Sequence, residues 1–115
     1  MSKENDQTIP ADRIAALNDE LRTTGKGGRM VMTCGVAALG EWFIARICVA
    51  VREFSDFNSD NDPNGEHDFG KVTVDTQTVF WKVDYYDLTL TFGSDDPSDP
   101  RITSRVLTIM LQEEY

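Results

Sequence analysis

The sequence predicts an α+β fold: three helices packed on a small, mostly antiparallel sheet, in the order α-β-α-β-β-(β)-α. Three observations carry this. Ile14, Leu17 and Leu21 recur at helical spacing, as do Val36, Leu39, Phe43, Ile47, Ala50 and Phe54. From Val72 to Tyr85 apolar and polar residues alternate with period two, the mark of a half-buried hairpin. Ile102, Val106, Ile109 and Met110 then return to helical spacing. At 115 residues the chain has room for one hydrophobic core. We expect one domain over residues 9–115 behind a flexible lead-in, residues 1–8.

The first helix is expected from Ile9 to Thr23. Thr8 can cap it, Pro10 suits its first turn, and Gly25 is a natural stop. The following "GKGGRMVMT" has neither the Lys-Ser/Thr pair of a phosphate loop nor a strand in front of it, so it reads as a turn into a strand at Arg29–Thr33. A second helix is expected from Val36 to Phe54, with Gly40 as a weak point. Trp42, Ile44, Cys48, Val49 and Val51 make its remaining face apolar as well, which predicts a central helix, the spine of the core.

The hairpin is expected to turn at Thr76-Gln77, setting Val74 opposite Val79 and Val72 opposite Trp81. On the other face that register sets Lys71 against Lys82 and Phe69 against Asp84, with Asp84 and Glu66 as the nearest carboxylates to neutralise the lysines. A third short strand fits Leu88–Phe92. After the turn-rich "GSDDPSDP", Asp99-Pro100 reads as a helix opening, and a final helix is expected from Pro100 to Glu114.

The formal charge of −9 is concentrated in the second half of the chain. Residues 53–99 hold 12 carboxylates against Lys71 and Lys82, whereas the flanking segments are nearly balanced. Such a field repels nucleic-acid backbones and favours a protein partner with a basic surface, so direct nucleic-acid binding is not expected. The longest apolar run, "WFIARICVAV", is about half a membrane span and is broken by Arg46, so no membrane association is expected. "MSKENDQTI" lacks an apolar signal core, which makes Cys34 and Cys48 reduced thiols of a cytoplasmic protein.

The chain's single histidine lies in the acidic stretch "NSDNDPNGEHDFG". Asp60, Asp62, Asn64 and Asp68 follow the spacing of a calcium loop, but Lys71 stands where its bidentate glutamate belongs and Pro63 stiffens the middle. No metal and no cofactor are therefore expected. Glu66, His67, Asp68 and Asp84, with Asp87 nearby, offer an alternative: carboxylates around one histidine can serve a metal-assisted hydrolase. The plainer reading of His67 is a surface histidine bonded to neighbouring carboxylates.

Several blocks occur together, "RIAALNDELRTTGKGG", "VMTCGVAALG", "NDPNGEHDFG", "FWKVDYYD" and "SRVLTIMLQEEY". In this order and spacing the chain resembles the family named domain of unknown function 3768, over about Arg13–Tyr115. The resemblance implies a small bacterial cytoplasmic protein of proteobacterial type, frequently encoded among mobile-element genes. It supplies no catalytic residues. The family pattern favours an aromatic residue where this chain has Asn64, which weakens any role resting on that side chain.

The reading that follows is a small acidic accessory protein, a non-enzymatic protein-binding module of counter-defence or regulatory type that mimics nucleic-acid charge. Its expected interaction residues are Asp60, Asp62, Glu66, His67, Asp68, Asp84, Tyr85, Tyr86 and Asp87.

Overall fold

Proline and glycine mark the limits of the first helix. In the computed structural model, which describes residues 10–115, α1 (Pro10–Thr24) opens on its proline, and the Gly25 N–H bonds back to the Leu21 carbonyl at 2.8 Å. Gly25 takes φ 80°, the left-handed stop that glycine adopts without a Cβ penalty. The expected lead-in, residues 1–8, and the expected helix start at Ile9 lie outside the described residues. Ile14 and Leu21 are buried and Leu17 is half-buried, as the stripe requires.

Strand β1 (Arg29–Met32) follows, then a short helix α2 (Cys34–Ala37) and a longer one, α3 (Glu41–Glu53). The expected continuous second helix is thus two, broken at Gly40, whose φ 94° and ψ 162° lie in a region essentially reserved for glycine. Nor is α3 a central spine. Ile47 and Val51 are buried in the core, but Trp42 and Val49 are 60% and 41% exposed on the outer side. Its apolar circumference reflects an exposed outer face, with Arg46 lying 4.7 Å over the Trp42 ring.

Strands β2 (Phe69–Val74), β3 (Gln77–Tyr86) and β4 (Ser104–Leu111) complete a four-stranded mixed sheet in the order β1-β4-β3-β2. β1 runs parallel to β4, and the other pairings are antiparallel. The fold is therefore α+β, with three corrections to the expected order. The C-terminal segment is a strand rather than a helix, inserted between β1 and β3. Leu88–Phe92 forms a turn rather than a strand, closed by the Asp87 carboxylate accepting the Thr89 and Thr91 N–H groups at 3.1 Å. The hairpin turns at Asp75-Thr76, so Val72 faces Val79 and Lys71 faces Phe80.

That last shift is by two residues, so every side chain stays on its expected face. The helix-facing side carries Val72, Val79, Trp81, Val83, Leu107 and Ile109, all buried. Gly70 lies beneath the Trp81 indole, in space that a Cβ would need. The two lysines do not meet. Lys82 bonds Asp84 on its own strand at 2.7 Å, and Phe69, Phe80 and Tyr115 form an aromatic cluster on the open face.

Candidate functional site

Antiparallel pairing puts the start of β2, the end of β3 and the start of β4 at one end of the sheet. Both acidic connections, residues 54–68 and 87–103, therefore sit at that end. Together they hold Asp56, Asp60, Asp62, Glu66, Asp68, Asp87, Asp95, Asp96 and Asp99, against Arg101 and His67. Fold topology joins two acidic stretches that are separated in sequence.

Beneath this end lie two polar networks anchored on α1. In the first, Asn18 is wholly buried. Its amide nitrogen donates to the Tyr85 hydroxyl at 2.9 Å and to the Glu66 carbonyl at 3.0 Å, while its oxygen accepts from Arg105 Nε at 2.7 Å. The Tyr85 hydroxyl donates to Glu66 Oε1 at 3.0 Å, and the Arg105 guanidinium lies over the Tyr85 ring and donates to the Pro97 carbonyl. Burial, then the nearby Glu66 and Asp68 charges, raises the Tyr85 pKa far above its ordinary value, so the phenol remains the donor near neutrality. Burial lowers the pKa of Arg105, against the opposing pull of Tyr85 and Glu66.

The second network holds His67. Its backbone has φ 54°, unusual outside glycine. Asp62 fixes that conformation, its Oδ1 accepting the Glu66 and His67 N–H groups at 3.2 and 3.1 Å. The imidazole stacks flat on Phe57, with ring centroids 3.9 Å apart, and its Nδ1 lies 3.0 Å from Asp19. Nε2 lies 3.7 Å from the buried Asp62 carboxylate. Asp19 also accepts from Arg22, whose other nitrogen donates to the Val51, Arg52 and Phe54 carbonyls at the end of α3. The site is thus tied to the C-terminus of α3, where a cation also complements the helix dipole.

Within the candidate catalytic set, Glu66 and His67 belong to these networks and Asp68 lies close enough to feel the Glu66, Asp62 and Asp84 charges. Burial, then those charges, raises the pKa of Asp68. Asp84 alternates with Tyr85 along β3, so its side chain is on the open face of the sheet, with Lys82 and Tyr86. Asp87 is occupied as the acceptor of its own turn. Of the calcium-loop residues, Asp62 spends Oδ1 on backbone N–H groups, and Asp60 and Asn64 are exposed. Among the described residues, no group of three or more His, Cys, Asp or Glu side chains is disposed to hold a metal ion. Four surface cavities of about 260 to 450 Å³ are lined by residues other than Glu66, His67, Asp68 and Asp84.

Sequence reasoning passed over Asn18, Asp19, Arg22 and Arg105. A signal for two of them was present: Asn18 and Arg22 follow Ile14 at successive intervals of four, which puts them on the buried stripe of α1. Arg105 became recognisable only once its segment was a strand, where it shares a face with Leu107 and Ile109.

Among the described residues, no helix is long and apolar enough to cross a membrane. No curated protein and no solved structure matches the chain. The model of one family, described as a protein of unknown function (DUF3768), matches residues 32–114, which hold all four strands but for Arg29–Val31, both acidic connections and the site residues outside α1. The chain belongs to that family.

Proposed function

We propose that the protein is a non-enzymatic binding module that docks its acidic end on a basic surface of a protein partner in the bacterial cytoplasm. One observation carries this reading: two acidic connections meet at one end of the sheet, with nine carboxylates against one arginine and one histidine. Asp56, Asp60 and Asp95 are exposed there, and their side chains make no hydrogen bond among the described residues. Hydrogen bonds from Thr89 and from Arg101 lower the pKa of Asp87 and Asp99 respectively, which keeps both ionised further into acid. An array of negative charge can compete for a surface that otherwise accepts phosphates, and this fits a counter-defence or regulatory accessory role. The same field argues against direct nucleic-acid binding.

The buried Asn18, Asp62 and Arg105 and the half-buried Tyr85 support the array and need not touch the partner. The test is affinity capture from a bacterial lysate at low and high ionic strength, comparing the native chain with a triple variant, Asp56→Asn, Asp60→Asn and Asp95→Asn. Basic proteins should be enriched by the native chain at low salt and lost with added salt or with the variant. Recovery that ignores both changes would reject the reading.

A further inference from the structure

The β1 edge of the sheet has a different character. β1 pairs only with β4, and Met30, Val31 and Met32 are 39%, 43% and 37% exposed. The Thr33 N–H donates to the Ile109 carbonyl at 3.0 Å. In a parallel ladder, alternate residues turn their backbone groups the same way, so Val31 also faces β4 while Met30 and Met32 present N–H and C=O outward. Beside this edge runs a groove of about 360 Å³ between β1, the end of α1 and the flank of α3 that carries Cys48 and Arg52. Met30, Met32, Cys48 and Ile109 form its apolar floor, and methionine side chains adapt readily to a partner's shape.

The charge of the groove selects its occupant. Arg22 and Arg52 line it and no carboxylate does, in a chain with 20 acids and 11 bases. Arg22 is buried and committed to α3 carbonyls, whereas Arg52 is exposed, as are Lys26 and Arg29 just before the strand. None of Lys26, Arg29 and Arg52 has an ion-pair partner among the described residues. A second copy paired edge to edge would bring like-charged rims together and join two chains each carrying −9.

We propose that the free edge of β1 is a binding site for an extended peptide strand of a partner, one that alternates apolar side chains with carboxylates. Its backbone pairs with Met30 and Met32, its apolar side chains enter the groove on the helix side, and its carboxylates, turned to the other face of the sheet, meet Arg29. This is strand addition to an open sheet edge, in which backbone bonds supply affinity and alternate side chains supply choice. The start of β1 reaches the acidic end beside Thr103 and Ser104, but the site uses the outward edge of the strand and does not depend on that end's role.

The test uses a fluorescein-labelled, end-capped octapeptide alternating valine with glutamate, and a counterpart with lysine for glutamate, both read by anisotropy against the full chain. The glutamate peptide should bind saturably and the lysine peptide should not. Arg29→Glu, at an exposed position of β1, should weaken binding by about tenfold. Met32→Pro removes an outward N–H and should abolish binding, with circular dichroism checking that its fold survives. If that variant does not fold, the Arg29→Glu result decides. Equal binding of both peptides, no binding of either, or a glutamate-peptide affinity indifferent to Arg29→Glu or to a folded Met32→Pro would overturn the proposal. So would a concentration-dependent dimer in sedimentation velocity that a folded Met32→Pro dissolves, since the edge would then belong to a second copy.

Discussion

Asn18 is the residue on which the interior polar network turns. A buried amide that serves Arg105, Tyr85 and the Glu66 backbone at once cannot be shortened without leaving orphans. Asn18→Ala should lower the unfolding free energy by about 2–3 kcal/mol, because a buried guanidinium loses its Nε acceptor, and urea denaturation measures this. A loss within error would mean that water replaces the amide. Asp68 works in the opposite sense. Its pKa is raised, so the folded state holds the proton more tightly than the unfolded chain, and ionisation costs stability as pH rises from the unfolded pKa through the folded one. Asp68→Asn should therefore raise the melting temperature at neutral pH, and the gain should vanish below the ordinary carboxylate value. Thermal melts across that range test the sign, and an unchanged neutral melting point would contradict it. These roles were only partly legible in advance. The acidic loop and Tyr85 stood out by charge and alternation. Asn18 and Arg105 did not, because a buried polar residue is recognised by its partners, and those are 67 and 87 positions away for Tyr85 and Arg105 as seen from Asn18.

Elements were legible where one face alone is buried. The stripe of α1 and the alternation of β2 and β3 each follow a single period, and both were readable. β4 was not, because Val106 and Met110 make its second face apolar too, and with Met110 buried there the run hides its alternation. Val106, Ile109 and Met110 also fit a helical stripe. The Asp99-Pro100 signal was real but short-lived: Asp99 accepts the Arg101 N–H at 2.9 Å and the chain only turns. Once Arg29–Met32 and the hairpin exist as open edges, a β-branched segment gains more by pairing with both than by forming another helix. The break between α2 and α3 is the clearest case of a backbone requirement that composition conceals. Nothing lies within 4 Å of a Cβ built on Gly40, so only its conformation demands glycine. Gly40→Ala should destabilise by about 1–3 kcal/mol without altering packing, as strain in this region costs. If α2 and α3 instead fused into one helix, helical content in circular dichroism would rise and that account would fail.

At the scale of the whole molecule the charge is unevenly placed. One end of the sheet gathers the acidic connections, and Lys26 and Arg29 reach that same end at the start of β1. The excess of negative charge was legible in the sequence, but its convergence was not, since it depends on β4 returning beside β3 to bring residues 87–103 next to residues 54–68. Side chains that repel one another across this end oppose folding, and mobile ions screen the repulsion within a Debye length. Sodium chloride should therefore raise the melting temperature of the native chain, by about 2–5 °C between low and physiological ionic strength. The Asp56→Asn, Asp60→Asn, Asp95→Asn variant removes three exposed charges without touching the buried networks. It should melt higher at low salt and respond less to added salt. The comparison between the two proteins cancels salt effects on the hydrophobic core, which they share. An equal response would mean that these carboxylates contribute no net field at the end of the sheet, and the electrostatic basis for docking on a basic surface would go with it.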